Sequence, residues 1–194
     1  MIRLVTAPAP WHAPRWAMLI TLLLVVGIAW QPAGANEALT AEYRIKAAFL
    51  CKFGNYVEWP STTNPETPFG IGVLASSAVV DELATIARGQ KVNGRPIVVR
   101  KIERGDAMEG IDMLFITRTQ MVRLADTLAA VKDRPVLTVT ESDQGVAAGS
   151  MVNFVVVDDK VKFDISLPTV ERSKLRISAR LLGVARTVVA GGPS

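Results

Sequence analysis

The residues best placed to do chemistry are four carboxylates near the ends of predicted strands: Glu141, Asp143, Asp158 and Asp159. Paired carboxylates can serve as a general acid and a general base. The sequence assigns no partner to any of the four, and solvation of turns and loops is the better explanation. Glu141 stands out because it follows a strand in an α/β order, at the edge where such sheets bind ligands. The loop at residues 141–145 is therefore a candidate ligand site.

Histidine and nucleotide chemistry are not expected in this chain. The only histidine, His12, lies in an N-terminal segment that we expect to be removed. Without it there is no Ser-His-Asp triad, no Cys-His pair and no histidine metal ligand. Gly70 and Gly72 lie inside a predicted strand without a third glycine that opens a helix, so they form no dinucleotide fingerprint. They more simply let another backbone approach closely, and we expect neither an enzyme nor a bound cofactor or metal.

The first 35 residues have the pattern of a secretory signal peptide. Arg3 and Arg15 precede an apolar run over residues 17–30. That run is shorter than the roughly 20 residues of an ordinary membrane span. Pro32 and a small-x-small pattern that ends at Ala35 follow, as at signal-peptidase sites. We expect cleavage after Ala35 and export to the periplasm, with an uncleaved membrane anchor as the alternative.

Removal of the leader changes the charge of the chain. The leader holds two of the 22 basic residues and none of the 18 acidic ones, so the remaining 159 residues carry a net charge of +2. This small charge gives little support for nucleic-acid binding, and no nucleic-acid partner is expected. A chain of this length buries roughly two-thirds of its unfolded surface. We therefore predict one domain over residues 36–194.

Strand and helix patterns alternate along this domain, which predicts a parallel sheet. Two strands near the end flank Asp158 and Asp159 as a β-hairpin. We predict a three-layer, Rossmann-like, mostly parallel α/β sheet with a C-terminal β-hairpin and helices on both faces. The predicted elements, in chain order, are helix 40–58, strand 69–75, helix 78–88, strands 95–102 and 111–117, helix 119–131, strand 136–140, hairpin strands 151–157 and 160–166, and helix 168–189.

The first predicted helix has two distinct faces. Ile45, Phe49, Phe53 and Tyr56 repeat at helical spacing, which predicts that they form its buried stripe. Cys51 lies about 160° from that stripe at ~100° per residue, on a face of smaller side chains.

Two alternatives remain open for Cys51. A free cysteine is usually a buried, inert thiol. In an oxidising compartment an odd cysteine can instead pair between two chains. Since the small residues around Cys51 let a second helix approach, a homodimer that is locked by a Cys51 disulfide is the second hypothesis.

Trp59 is the only tryptophan that follows the leader, and it comes directly after Glu58 at the end of the first predicted helix. A tryptophan at such a site is either part of the core or an anchor of an interface, where this residue type is enriched. Both interpretations remain open.

Several local strings, in their order and spacing, resemble the YfiR family of periplasmic regulators. The resemblance covers about residues 40–188, which is nearly the whole domain. The matching strings are YRIKAAF at 43–49, YVEWP at 56–60, FGIGV at 69–73, DMLFIT at 112–117, PVLTVTES at 135–142, MVNF at 151–154, VKF at 161–163 and ISARLL at 177–182.

The resemblance implies a protein that regulates by binding rather than by catalysis. Members of this family resemble repressors of a membrane-bound diguanylate cyclase of the YfiN type, which they bind at its periplasmic sensor region. Release is expected through an outer-membrane lipoprotein of the YfiB type, with cyclic-di-GMP, biofilm formation and motility as the output. The candidate residues for partner or ligand binding are Glu58, Trp59, Glu141, Asn153 and Arg180.

The chain departs from the family pattern at three places. Ser150 stands where the family usually has a glycine, and Asp159 stands where the hairpin turn often has one. Only Cys51 is present, so no internal redox pair is expected. A periplasmic interaction protein that represses a cyclase is the first hypothesis for function, and a periplasmic module that binds a small ligand is the alternative. A homodimer is expected as well.

Overall fold

A computed structural model describes residues 33–60 and 66–191. The chain divides into two compact units, Met1–Ala38 and Leu39–Ser194. Of the first unit only residues 33–38, the start of a helix, are described, so the predicted signal peptide lies outside the described residues except for its last three. Within the described part of the chain, no helix has the length and the apolar character needed to cross a membrane.

Eight strands of the second unit form one central sheet, and two further short strands form a small antiparallel ladder. The order across the central sheet is β10-β8-β7-β6-β5-β2-β4-β3, and the ladder pairs β1 with β9. Most neighbours in the central sheet are parallel, so the predicted α/β class is confirmed. The strands are β1 Val57–Glu58, β2 Phe69–Leu74, β3 Lys91–Val92, β4 Arg95–Lys101, β5 Met113–Ile116, β6 Leu137–Thr140, β7 Val152–Val157, β8 Lys160–Ser166, β9 Arg176–Ile177 and β10 Thr187–Val189.

The parallel part of the sheet has a switch point between β2 and β5. Its five parallel strands lie in the order β4-β2-β5-β6-β7, which is 2-1-3-4-5 when they are counted along the chain. In this order the connections on either side of the first strand run in opposite directions. The crevice outside the carboxyl ends of β2 and β5 is where such sheets bind ligands. The loops after Leu74 and Ile116 therefore line the expected site.

Helix α1 spans Ala33–Phe53 and continues as a 3-10 turn, Gly54–Tyr56. The predicted helix at 40–58 is wrong at both ends, because α1 begins earlier and the last two predicted residues form β1. The predicted buried stripe is half confirmed: Phe49 and Phe53 pack in the core, but Ile45 is 46% exposed and Tyr56 is 37% exposed. The face that holds Lys46 and Cys51 is buried instead. Lys46 is tolerated on this buried face because Glu42 and Glu141 neutralise its charge.

The other helices lie between the strands, as predicted, but differ in length. Helix α2 spans Ser77–Ala87 and buries Leu83, close to the predicted bounds. The predicted helix at 119–131 is a 3-10 helix, Arg118–Arg123, followed by the short α3, Leu124–Ala130.

Four phenylalanine rings join α1 to the hairpin. Phe154 of β7 and Phe163 of β8 are partners across the antiparallel ladder. The Phe53 ring centroid lies 5.7 Å from that of Phe154 and 5.0 Å from that of Phe163. Phe49 packs 5.6 Å from Phe163. Aromatic rings attract one another at these separations beyond the burial of their area, so the cluster fixes where α1 crosses the sheet.

The hairpin is confirmed, whereas the last helix is wrong. Asp158 and Asp159 have φ values of 50° and 56°, the positive pair that a two-residue turn of type I′ needs. The predicted helix at 168–189 is interrupted at Lys174, whose φ of 59° is left-handed. Beyond this point, residues 176–177 pair with β1 and residues 187–189 pair with β8, so they cannot continue the helix. The segment instead forms α4 Leu167–Arg172, β9, α5 Ala179–Leu182 and β10.

The amino ends of the parallel strands pack around Gly70. A Cβ atom at Gly70 would lie 1.8 Å from the carbonyl oxygen of Gly110, so another backbone approaches closely, as predicted. The Gly70 amide donates to Asp112 Oδ2 at 2.9 Å. The same carboxylate accepts two hydrogen bonds from the Arg95 guanidinium, at 3.1 and 2.7 Å. This edge therefore has no space for a side chain at Gly70.

We predict that Gly70→Ala destabilises the domain by about 3 kcal/mol, because backbone cannot yield as a side chain does. Gly183→Ala is the matched control. Gly183 has a helical φ of −68°, and a Cβ there would meet its nearest atom at 3.4 Å. The control should be neutral or stabilising by about 0.5 kcal/mol. Urea unfolding measures both, and equal stabilities for the two variants would contradict the close approach.

Candidate functional site

A cleft of about 310 Å³ lies at the carboxyl edge of the sheet, at the switch point between β2 and β5. Helix α1, the start of α2 and the loops after β5 and β6 meet around it. This is the place where parallel α/β sheets bind ligands. The lining residues are Leu39, Glu42, Tyr43, Ser76, Val79, Thr117, Arg118, Thr119 and Glu141.

Glu141 lies at the bottom of this cleft and is 1% exposed. Its Oε1 accepts hydrogen bonds from the Tyr43 hydroxyl at 2.7 Å and from the Arg118 amide at 2.8 Å. Its Oε2 accepts from Nζ of Lys46, which is also buried and donates to Glu42 as well. Both carboxylate oxygens are therefore engaged, and the Lys46 charge is shared between two carboxylates.

The environment of Tyr43 keeps its hydroxyl protonated. Burial raises the pKa of Tyr43 well above its usual value, and the neighbouring Glu141 charge and hydrogen bond raise the pKa further. The phenol therefore remains a donor to Glu141 at physiological pH. Since Tyr43, Lys46 and Glu141 satisfy one another, the cluster holds α1 to the sheet edge and offers no free acid or base to the cleft.

Asn153 holds the loop that follows Glu141. Its Oδ1 accepts from the Ser142 amide at 3.0 Å, and its Nδ2 donates to the Ser142 carbonyl at 2.7 Å. The Thr140 hydroxyl also donates to Asn153 Oδ1, at 2.8 Å. A Cβ at Gly145 would lie 2.1 Å from that same oxygen, so the loop folds tightly over the Asn153 amide.

A second cleft, of about 410 Å³, lies on the other side of this loop. Residues 143–147 form one wall and Asn153 lies at its base, while Asp164 and Ser166 of β8 contribute the opposite wall together with Val189. The 141–145 loop predicted as a ligand site thus runs between two clefts. The structure brings Glu141 and Asn153 together through this loop.

The other three candidate residues lie around the β1–β9 ladder. Glu58 is exposed and is the ladder partner of Arg176 in β9. Arg180 is exposed in α5, four residues farther along the chain. Trp59 is half-buried, and its ring packs edge-on against Phe69 with the centroids 5.2 Å apart. The structure therefore separates the five candidates into two groups.

Trp59 combines features of both interpretations. Its ring packs against the hydrophobic core, yet its indole Nε1 is buried without a hydrogen-bond partner in the described part of the chain. A buried unpaired donor costs about 1–3 kcal/mol. Phe69 also contacts the Arg95 guanidinium, 5.4 Å from the ring centroid, so Trp59 lies at the amino edge of the sheet, opposite Glu141.

Cys51 lies in the hydrophobic core and is 1% exposed. Burial raises the pKa of its thiol to about 11. Of the two alternatives for this residue, the structure places the thiol in the core. A disulfide between two copies therefore requires α1 to open first, and that disulfide stays a prediction.

Lys46 and Tyr43 belong to the candidate site, although no motif in the sequence indicated a role for them. Lys46 comes three residues after Tyr43 and four before Leu50, so it lies on the buried face of α1. Glu42 precedes it by four residues, the spacing of a helical ion pair. A lysine within an otherwise apolar face is the signal that could have pointed to a buried carboxylate partner. Within the described residues, no group of three or more His, Cys, Asp or Glu side chains could hold a metal ion.

We predict strong coupling between Lys46 and Glu141 in the free energy of unfolding. Lys46→Met should cost about 3 kcal/mol, because it leaves the buried Glu141 charge without a cation. Glu141→Gln should cost about 2–3 kcal/mol, because the buried Lys46 then keeps only the partly exposed Glu42 as a charged partner. The double variant should lose about 2 kcal/mol less than the sum of the single losses, since it removes both charges. Urea unfolding of the four proteins measures this coupling.

The matched control is the surface pair Arg44 and Glu82, which are joined at 2.7 Å with the Arg44 side chain 64% exposed. Exposed pairs contribute little, so the coupling between Arg44→Ala and Glu82→Ala should stay below about 1 kcal/mol. A Lys46–Glu141 coupling as small as this control would contradict the role of the buried pair.

A second prediction concerns the buried thiol of Cys51. Its folded-state pKa of about 11 exceeds its ordinary value of 9.0, so the protonated thiol stabilises the fold below pH 9 and that stability is lost as pH rises towards 11. The stability advantage of wild type over Cys51→Ala should therefore shrink between pH 8 and 11. At pH 8 the folded protein should react with Ellman's reagent far more slowly than the protein in guanidinium. A covalent dimer on a non-reducing gel, formed without denaturant and absent in Cys51→Ala, would instead support the intermolecular disulfide.

Comparisons with known proteins agree with this architecture. Among solved structures, the chain is similar to a conserved domain protein from Vibrio cholerae O1 biovar El Tor str. N16961, with a TM-score of 0.53 and 10% sequence identity over 75% of this chain. The chain covers 60% of that protein, and a likeness at this identity shows the fold alone. No curated protein matches the chain in sequence.

The family comparison covers most of the chain. Residues 43–186 match the family described as YfiR/HmsC-like. The matched region begins in α1 at Tyr43, the partner of Glu141, and it includes the β1–β9 ladder and most of the residues that line the two clefts. Members of this family are periplasmic regulators of the cyclic-di-GMP pathway. The chain belongs to the YfiR/HmsC-like family.

Proposed function

We propose that this protein is a periplasmic negative regulator that binds the periplasmic sensor region of an inner-membrane diguanylate cyclase and lowers its cyclic-di-GMP output. The observation that carries the proposal is the family match over residues 43–186, which spans the domain from α1 to the segment before β10. The proposed route to the periplasm is the signal peptide, with cleavage after Ala35.

The ionisable groups in the described interior support a role in binding rather than in turnover. Glu141 is paired with Lys46, and Asp112 is paired with Arg95. Asp164 accepts from Arg186 Nε at 2.8 Å. Groups that are engaged in this way are not free to act as a general acid or base, because removing the basic partner would leave a buried carboxylate charge unpaired.

Repression by binding is a shift of populations. A regulator that binds the inactive cyclase more tightly than the active one moves the equilibrium towards the inactive form. Each tenfold difference in affinity contributes about 1.4 kcal/mol to that shift. Release of the cyclase then needs only a competitor that binds the same surface of the regulator. We propose that an outer-membrane lipoprotein of the YfiB type is this competitor. A homodimer would match the symmetry of a dimeric receptor.

The two clefts favour a second candidate function, a module that binds a small periplasmic ligand. Their volumes of about 310 and 410 Å³ suit small molecules, and they flank the Asn153-held loop at the carboxyl edge of the sheet. A ligand there would contact α1 and β8, and it would therefore be placed to tune the regulator.

We predict that deletion of the gene raises cellular cyclic-di-GMP and biofilm mass, because the cyclase loses its repressor. Full-length protein supplied on a plasmid should restore both, whereas residues 36–194 without the leader should not, since they stay on the wrong side of the membrane. Mass spectrometry of the nucleotide measures the effect. Unchanged cyclic-di-GMP would refute the proposal.

Thermal-shift screening of periplasmic metabolites separates the alternative function. A ligand at about 100 times its Kd should add about 2.7 kcal/mol of stability. Such a ligand, together with unchanged cyclic-di-GMP after deletion, would favour the small-ligand module.

A further inference from the structure

A basic segment follows α4 on the surface of the domain. Residues 172–180 contain four basic side chains and no acidic one. All four are exposed, and none forms a salt bridge with a described residue. The domain as a whole carries a net charge of only +2, so this segment concentrates positive charge. The four residues are Arg172, Lys174, Arg176 and Arg180.

The backbone of this segment is fixed by pairing with β1. Arg176 is the ladder partner of Glu58, and the Ser178 amide donates to the Tyr56 carbonyl at 2.9 Å. Residues directly opposite in an antiparallel pair share a face. Since Val57 is 2% exposed on one side of this ladder, Glu58 and Arg176 lie on its outer side. The basic groups are therefore held on an ordered scaffold.

An exposed aromatic residue lies beside these charges. Tyr56 is 37% exposed and precedes the buried Val57 in the chain. Tyrosine and arginine are the residue types enriched in the energetic centres of protein interfaces. Eight residue steps extend at most about 29 Å, so the four basic residues fit within one interface of standard size, about 800 Å² per partner.

We propose that residues 172–180, together with Tyr56, form the surface on which this regulator binds an acidic surface of its protein partner. The inference rests on the proposed function and identifies the part of the protein that contacts the cyclase sensor region. Three of the four cations are arginines, whose planar guanidinium forms paired hydrogen bonds with carboxylates. Their place on a paired strand and a helix suits a shaped protein partner better than a lipid surface, which mobile lysine-rich segments bind.

The test measures binding of the purified protein to the periplasmic sensor region of a YfiN-type diguanylate cyclase from the same genome. The variant Arg176→Glu/Arg180→Glu should bind at least about tenfold more weakly, because it replaces attraction by repulsion. Arg176→Gln/Arg180→Gln should show a smaller loss and guards against a folding defect in the reversal variant. Wild-type affinity should fall as NaCl rises from 50 to 500 mM, and the reversal variant should show a weaker salt dependence.

The matched control is Arg88→Glu/Arg104→Glu, which makes the same change in net charge at two exposed arginines elsewhere in the domain. It should bind within about twofold of wild type. The inference is overturned, and the proposed function is left intact, if wild type binds and the reversal variant and the control variant both retain that binding or lose it equally. No binding by wild type overturns both.

Loss of binding to vesicles of phosphatidylethanolamine and phosphatidylglycerol in the reversal variant, with sensor binding unchanged, assigns the segment to the membrane and also overturns the inference.

Discussion

The buried pair of Lys46 and Glu141 is the constraint on which the arrangement of this domain depends. A charge removed from water must find an opposite charge and hydrogen bonds, or its burial costs several kcal/mol. Lys46 comes from α1 and Glu141 from the end of β6, so their pairing requires α1 to cross the carboxyl edge of the sheet. In that position Phe49 and Phe53 meet the rings of the hairpin. Packing and ion pairing thus select the same placement of α1.

That placement gives the two ends of the parallel strands different properties. The carboxyl edge carries two clefts and a loop held by Asn153, whereas at the amino ends of β2 and β5 the chain packs closely around Gly70, Asp112 and Arg95. The β1–β9 ladder adds a third region, where the exposed basic segment lies. The proposed partner surface on the ladder and the proposed ligand clefts therefore lie at different places in the domain. Because α1 lines the first cleft and leads through the 3-10 turn into β1, one continuous segment joins the two regions.

The sequence predicted the central sheet and the hairpin because local patterns determine both. Alternating strands and helices specify a parallel sheet, and the pair Asp158 and Asp159 adopts the turn that their position between two strands indicates. The division of residues 168–189 into two short helices and two strands could not be predicted, since pairing with β1 and β8 overrides the helical pattern of this segment. Part of the candidate site was predicted, because the position of Glu141 after a strand indicated the carboxyl edge. The apolar face around Lys46 indicates that this lysine is buried, but it does not identify the carboxylate, 95 residues farther along the chain, with which it pairs.

The β1–β9 ladder joins residues that lie about 120 positions apart in the chain. Contacts this distant form late, because the loop that they close costs entropy before the contact repays it. A chain that emerges from its amino end presents Val57 long before Ile177, so β1 waits for its partner until almost the whole chain is available. The central β2–β5 strands are complete much earlier. Completion of the native state therefore coincides with the arrival of the C-terminal segment. On the proposed route through the secretion channel, the β1–β9 ladder can close only after the last part of the chain has crossed.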